Sequence, residues 1–588
     1  MKRFWICALA ALALCLTFPG VRGGAEAAYV QECGIALPPV VISDYRVGLD
    51  QADRPPATVF FRLDEELRLP DGTDAEEALE ELNGAAVPVF YVQDQAAADR
   101  VAEFVSGRNL IECLVASDDA ALVASMRAVC TRVQGLWDAR DSTAGPQELR
   151  DTANSSDAKV VLVDAQWTAY EPVRWLQERL MTVWCEAETE EEIYAAAVSG
   201  ANGIWTSDPD LAYDLLTSFD EGSLLHFPMV VGHRGMYNEK QNTLASAQEA
   251  FRAGADAVEC DIYLSADGRI VLSHDQTLDN TTTGTGDVEQ MTWAEISQYE
   301  VDYGGGGENR PIALLDDLFG AFKDTDLVHF VEIKSSRPEI VPALKALIEE
   351  YDVSGQVVVI SFLSEQLARV HEQIPELSVG LLTNTAQGYD AMAANIALAP
   401  LNATLNPSYE FVTLDQISQL AACGLTVWPW TYPNGGAYDQ AWQNGINGIT
   451  TDYADRASDR VVRLEASDFA VGSRDSEAVP LTAVAVTQKG ERFEVSCDYM
   501  QISGSMTLLQ TSEGKYYAGR GTAVVLLKYR FESDDVAYTV WSDPVTVMVE
   551  ESGGGGGGCG ASAGLGSACA ALGLALSGLS LAFLKRRA

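Results

Sequence analysis

Five side chains able to do acid–base or metal chemistry fall between Val230 and Lys334: His233, Glu259, Asp261, His274 and Glu332. Two cations, Arg234 and Lys334, stand among them, and of the chain's five histidines two belong to this array. Buried imidazoles beside carboxylates suit proton transfer, and three converging carboxylates suit a hard divalent cation. On spacing alone, the carboxylates are equally well read as ion-pair partners of Arg234 and Lys334.

Each group follows a short apolar run: Met229-Val-Val, Ala257-Val, Ile270-Val-Leu and Phe330-Val. That pattern places them at or near strand ends, where α/β barrels build their sites. Strand residues two apart share a face, so Glu259 joins Asp261, and Glu332 joins Lys334, on one side. Cys260 then turns to the opposite face as a small buried residue. Ser265-Ala-Asp-Gly268 reads as a hairpin turn that returns His274 toward the carboxylates. The run Tyr303-Gly-Gly-Gly-Gly307 reads as a mobile loop; no Lys-Ser/Thr follows to make it a phosphate cradle.

The order His233-Arg234-Gly235, Gln241-Asn242-Thr243, Phe251-x-x-Gly254-Ala-Asp256, Glu259-x-Asp261, Asp267-Gly268, His274-Asp275, Thr282-Thr-Gly284 and Glu332-Ile-Lys334 resembles the glycerophosphodiester phosphodiesterase family over about residues 228–465. The resemblance implies a (β/α)₈ TIM barrel and hydrolysis of glycerophosphodiesters to sn-glycerol 3-phosphate and an alcohol. It also implies a divalent metal, Mg²⁺ or Ca²⁺, on Glu259, Asp261 and Glu332, with His233 and His274 as general acid and base. Arg234, Lys334, Gln241 and Trp430 would contact the substrate, Arg234 through the guanidinium fork that matches phosphate. The family usually carries Glu where this chain has Gln241, which keeps hydrogen bonding and loses a negative charge. Alternatives are a phospholipase D-like activity on lysophospholipids, or a surface-anchored binding or adhesion protein whose barrel is vestigial.

At 588 residues the chain holds several domains, because single cores stop growing near 250–300 residues. A net charge of −46 argues against nucleic acid as a partner and makes local cations necessary for a phosphodiester substrate. Residues 1–27 read as a secretory signal ending at Ala25-Glu-Ala27. Residues 28–225 alternate strand-like and helical runs and form a degenerate barrel-like α/β domain. Thr182-Val-Trp184 … Gly203-Ile … Asp208 there echoes Thr426-Val-Trp428 … Gly448-Ile … Asp452, with the glycine slipped by one. Matching Phe90-Tyr-Val92 to Phe330-Val-Glu332 puts Val92 where Glu332 stands. No histidine precedes His226, so this copy cannot run two-imidazole catalysis.

Residues 226–465 form the catalytic barrel, and 466–551 a small immunoglobulin-like β-sandwich of spacer or adhesion type. Residues 552–588 combine a Gly-rich linker, an apolar stretch and Lys585-Arg-Arg587, a membrane anchor or a sorting tail. The expected location is therefore extracytoplasmic, periplasm or cell surface, with the membrane reached through that tail. Cys113 and Cys130 are candidates for pairing in an oxidising compartment.

Overall fold

The computed structural model describes residues 33–384, 390–471, 481–506, 508–510, 516–518 and 521–549. The expected signal segment, the linker and the apolar tail lie outside the described residues. Among those described, no helix is long and apolar enough to cross a membrane.

The N-terminal unit is a closed barrel of eight parallel strands: β1 (Val40–Asp44), β2 (Thr58–Arg62), β3 (Val87–Tyr91), β4 (Leu114–Ser117), β5 (Gln134–Asp138), β6 (Ala158–Val163), β7 (Thr182–Glu186) and β8 (Gly203–Trp205). Their residues are almost all buried, the pattern of strands covered on both faces. The second unit repeats the plan with β9 (Met229–Gly232) and β10 (Ala257–Leu264), then β11 (Ile270–Leu272) returning antiparallel on β10. A short hairpin follows, β12 (Glu300–Val301) with β13 (Arg310–Pro311). The wall resumes with β14 (Val328–Ile333), β15 (Val357–Ser361), β16 (Val379–Thr383), β17 (Ala403–Pro407) and β18 (Gly448–Thr451). Between β17 and β18 the segment 427–432 makes isolated parallel bridges, Leu405 to Val427 and Tyr432 to Thr451, which close the second ring.

The internal repeat has a packing cause. A Cβ on Gly203 would meet Trp184 Cδ1 at 2.6 Å, and one on Gly448 would meet Trp428 Cε3 at 2.5 Å. In each barrel a buried indole fills the space that glycine leaves.

Contacts between the barrels run from strand beginnings to strand beginnings. Thr58 Oγ1, opening β2, donates to Ala422 O at 2.8 Å, and Thr182 Oγ1, opening β7, donates to Gly424 O at 2.8 Å. Arg174, deeply buried, donates to Phe227 O and pairs with Asp256 at 3.1 Å, just ahead of β9 and β10. Asn154 reaches Ser378 Oγ at 2.9 Å, just ahead of β16. The barrels therefore meet bottom to bottom, and their strand C-termini open in opposite directions.

The described C-terminal strands form a three-stranded, a five-stranded and a two-stranded sheet. Contrary to a spacer, this module lies across the seam of the barrels. Trp541 donates to Ser223 Oγ at 3.0 Å and meets Phe219 edge-on, Tyr538 packs on Phe227 and Trp442, and Gln488 donates to Gly254 O at 2.8 Å. Cys113 and Cys130 are both free thiols; Cys130 donates to Ala102 O at 3.3 Å, so the proposed pairing is not formed.

Candidate active site

The second barrel gathers the three carboxylates where strand geometry places them. Glu259 and Asp261 project from one face of β10, and parallel pairing sets Asp261 directly opposite Glu332 on β14. One oxygen from each lies within 4.8 Å of the others, and all three residues are buried. Cys260, between them, faces the surrounding hydrophobic layer.

The carboxylates are incompletely satisfied. Glu259 Oε1 accepts no hydrogen bond, and Asp261 Oδ1 and Glu332 Oε1 have only the Lys334 ammonium near them, at 3.2 and 2.7 Å. Burial, then repulsion from Asp261 and Glu332, raises Glu259 well above the usual carboxylate range. Burial and then the Asp261 charge push Glu332 up to about 8. Against its own desolvation, Asp261 is held low by Arg234 and Lys334. A buried oxygen without a donor and two carboxyls forced toward the protonated form are what a divalent cation would relieve, so this donor set fits one.

Arg234 connects the trio to the loop after β9. Its backbone N–H donates to Glu259 at 2.9 Å, its side chain pairs with Asp261 at 3.1 Å, and Nη1 donates to Gln241 Oε1 at 3.2 Å. The turn is tight. Arg234 itself takes φ +53°, and Gly235 follows at +96° with Ser246 where a Cβ would sit. Asn242 clamps Asp261 reciprocally, donating to its carboxylate at 2.8 Å and accepting its N–H at 3.1 Å.

Both histidines are oriented by aspartates. His233 Nδ1 lies 2.8 Å from Asp452 Oδ1, and His274 Nδ1 lies 2.7 Å from Asp275 Oδ1. Each Nδ1 is thereby engaged, and each Nε2 is left for chemistry. Burial, reinforced by Arg234 and Lys334, holds His274 below its ordinary value. Trp430 donates to Asn406 O at 2.8 Å and meets Phe362 edge-on at 5.5 Å, while the Lys334 ammonium lies 5.7 Å from the Phe362 ring. All nine residues singled out from the sequence thus belong to this end of the second barrel.

Asp452, Asp275, Asn242 and Phe362 were missed as site residues. Asp452 was visible only as the end of the repeat, and Asp275 only as a motif neighbour of His274. The glycine loop also differs from expectation. Lys240 is buried beneath it and donates to the carbonyls of Asp302, Gly304 and Gly305 at 3.2, 3.3 and 3.0 Å, so the loop is anchored. The other three histidines have other surroundings: His226 lines the barrel seam, His329 is buried against Phe319 and Phe322, and His371 pairs with Asp157 across the seam at 2.6 Å. A cavity of about 760 Å³ also lies at that seam, among Leu37, Val41, Thr182, Ile417 and Leu425, away from the carboxylates.

Strand register shows what the first barrel carries instead. Ile42 pairs with Thr58 as Val231 pairs with Ala257, so Phe60 stands at the Glu259 position and Arg62 at the Asp261 position. Arg62 then pairs with Tyr91 as Asp261 pairs with Glu332; the residue at the Glu332 position is Tyr91, one place before the expected Val92. Arg62 lies over the Tyr91 ring at 4.8 Å and binds Asp44 at 2.9 Å. Arg140 binds Asp138 and Glu186 at 2.7 and 2.5 Å. Guanidiniums and aromatic rings fill the centre that carboxylates line in the second barrel.

Comparison with known proteins places the likeness on the second barrel. The model of the "Glycerophosphoryl diester phosphodiesterase family" matches residues 233–456. A glycerophosphodiester phosphodiesterase of Caldanaerobacter subterraneus subsp. tengcongensis is 30% identical over 230 residues, covering 38% of this chain and 93% of that protein. One from Bacillus altitudinis is 27% identical over 236 residues, covering 39% and 96%. Among solved structures, a putative glycerophosphoryl diester phosphodiesterase from Silicibacter pomeroyi is 24% identical with a TM-score of 0.37, covering 40% of this chain and 94% of that one.

Proposed function

The chain belongs to the glycerophosphoryl diester phosphodiesterase family, and from that premise we propose a metal-dependent hydrolysis carried by His233, His274 and the carboxylates of the second barrel. The reaction converts a glycerophosphodiester and water into sn-glycerol 3-phosphate and an alcohol. The observation that carries this reading is the pair of aspartate-held imidazoles at the same end of the barrel as three buried carboxylates that lack enough donors.

Glu259, Asp261 and Glu332 would hold the cation, Mg²⁺ or Ca²⁺. Such an ion neutralises the carboxylate trio and polarises a phosphoryl oxygen when bound. Arg234 and Lys334 bring positive charge to the phosphate, which a protein of net charge −46 would otherwise repel. One imidazole takes a proton from the nucleophile as its oxygen bonds to phosphorus; the other gives a proton to the alcohol oxygen as its bond to phosphorus breaks. Asp452 and Asp275 hold the tautomers that keep each Nε2 available. Gln241 steers the Arg234 guanidinium, and Trp430 with Phe362 walls the Lys334 side. A vestigial binding barrel does not account for this arrangement, since every proton-transfer and ligand group is present and converges.

The first barrel acts as a scaffold in this proposal. The apolar segment 561–584 and the leader at 1–27 are the basis for placing the enzyme outside the cytoplasm, held at a membrane by its tail; protease accessibility on intact cells tests that placement. The activity itself is tested by release of sn-glycerol 3-phosphate from glycerophosphocholine by the purified protein. Release should stop on chelation and return with Mg²⁺ or Ca²⁺. Unchanged release after exhaustive chelation would overturn the metal assignment, and the absence of release with either ion would overturn the activity.

A further inference from the structure

Six strands of the first barrel end on a residue that a plain scaffold does not need. Asp44, Arg62, Tyr91, Asp138, Glu186 and Trp205 close β1, β2, β3, β5, β7 and β8. Each stands two places beyond a residue packed in the barrel's interior, so alternation turns all six to that side. Strand C-termini are the face on which barrels of this kind carry their binding groups.

The charges there are held in place. Arg140, in the turn after β5, forks onto Asp138 through Nε and Nη2 at 2.8 and 2.7 Å and reaches Glu186 through Nη1 at 2.5 Å. The Tyr91 hydroxyl also donates to Asp138. Arg140 lies 4.9 Å from the centre of the Trp205 ring, and Arg62 lies 5.8 Å from it and 4.8 Å from that of Tyr91. Stability alone does not ask for such a cluster, because an apolar plug of the same volume avoids the desolvation of its charges.

Several groups are left over. Trp205 is 7% exposed, and its indole N–H meets no acceptor among the described residues. One layer lower, the Trp184 indole lacks one too, whereas its counterpart in the second barrel, Trp428, donates to Thr426 Oγ1 at 3.0 Å. Arg62 donates through Nε to Asp44 Oδ1 at 2.9 Å, and its Nη groups donate to no described residue. Asp44 Oδ2 and Glu186 Oε2 accept from none. Asp44, Arg62 and Glu186 are each partly open to solvent, their side chains 36, 30 and 26% exposed.

Donor-only guanidinium and indole groups beside acceptor-only carboxylates call for a ligand that both accepts and donates, as hydroxyl groups do. An anion would face three carboxylates and a cation two guanidiniums, so neither ion is favoured. Nor is this a metal site: among the described residues, the trio of the second barrel is the one cluster with ligand spacing. The rings and the guanidiniums stacked on them offer planar, weakly hydrated surfaces that suit the C–H face of a sugar ring.

We propose that the mouth of the first barrel binds a neutral carbohydrate, with Trp205 and Arg62 donating to its hydroxyl oxygens and Asp44 and Glu186 accepting from its hydroxyl groups. This goes beyond the hydrolase reading and does not depend on it. The test is saturation-transfer NMR of the full-length protein with millimolar methyl glycosides of glucose, galactose, mannose and N-acetylglucosamine, and with maltotriose and cellotriose. At least one should receive saturation, and inorganic phosphate at equal concentration should not displace it. Arg62→Met and Trp205→Phe, which keep most of the packing, should each weaken binding roughly 3- to 30-fold, the usual cost of one lost hydrogen bond. Both should leave the release of sn-glycerol 3-phosphate from glycerophosphocholine unchanged. Saturation of no sugar, affinity untouched by the substitutions, or displacement by phosphate would overturn the proposal. Loss of sugar binding together with hydrolysis would place the sugar at the second barrel and overturn it as well. Should one variant fail to fold, the other decides, and the wild-type results with sugar and phosphate stand by themselves.

Discussion

Oδ1 of Asp452 lies 2.8 Å from Nδ1 of His233, across 219 residues of sequence. The carboxylate sits just past the end of β18 and the imidazole just past the end of β9, neighbours in the barrel wall. Fixing the tautomer from Nδ1 leaves Nε2 with a defined role, as in other aspartate-supported histidines. Asp452→Ala should lower kcat by roughly tenfold or more with little change in KM, and His233→Ala by roughly 10²–10⁴-fold. Steady-state kinetics separates the two parameters. A loss confined to KM would mean that Asp452 serves binding rather than proton transfer.

The metal-free site should couple pH to both ion affinity and stability. Glu332 is raised from 4.5 to about 8, and Glu259 shares the direction. A carboxyl raised on folding contributes stability that is full below its unfolded value and lost as pH rises through its folded one. The Tm of metal-free protein should therefore decline between about pH 5 and 8 relative to Glu332→Gln. Divalent binding must displace the retained protons, so affinity should tighten from pH 6 to 8. Calorimetry in buffers of different ionisation enthalpy should register proton release at pH 7; binding without proton release would remove the assignment of these carboxyls as ligands.

Arg174 offers a test of the bottom-to-bottom assembly. Its guanidinium is buried between the barrels and satisfies Glu178, Asp256 and the carbonyl of Phe227. Arg174→Ala leaves buried acceptors without a donor and should cost about 3–5 kcal/mol. Chemical denaturation measures that difference. A near-neutral effect would show that the seam contributes little to holding the second barrel.

Gln241→Glu places a carboxylate 3.2 Å from the Arg234 guanidinium, where a neutral amide now accepts its hydrogen bond. The added charge should compete with the substrate phosphate, raising KM roughly fivefold, about 1 kcal/mol of ion pairing, with a smaller effect on kcat. A lower KM in this variant would mean that the amide contacts substrate in some other way.

Much of the second barrel was legible because its chemistry is local. Glu259-Cys-Asp261 and Glu332-Ile-Lys334 each lie on one strand, so alternation alone sorts side chains between the centre and the surrounding layer. The Ser265–Gly268 turn was equally readable, since a glycine at φ +80° closes the β10–β11 hairpin. The first barrel was legible only as alternating strand-like and helical runs. Its Trp–Gly repeat was visible as letters, and its cause is the indole resting where a Cβ is absent.

What remained was decided by groups far apart in sequence. Asp452 meets His233 only because β18 closes against β9, and no spacing rule connects residues 219 apart. Tyr91, rather than Val92, takes the Glu332 position because register is set by pairing across the whole first ring, and a shift of one residue exchanges the two faces of a strand. The anchoring of the glycine loop depends on a lysine more than 60 residues before it, and glycine itself carries no signal of what its carbonyls will meet. Side-chain types and strand periodicity therefore determined which chemical groups the second barrel gathers. Only closure of the two rings decided which partners orient the two imidazoles, because those partners are set by distances through space.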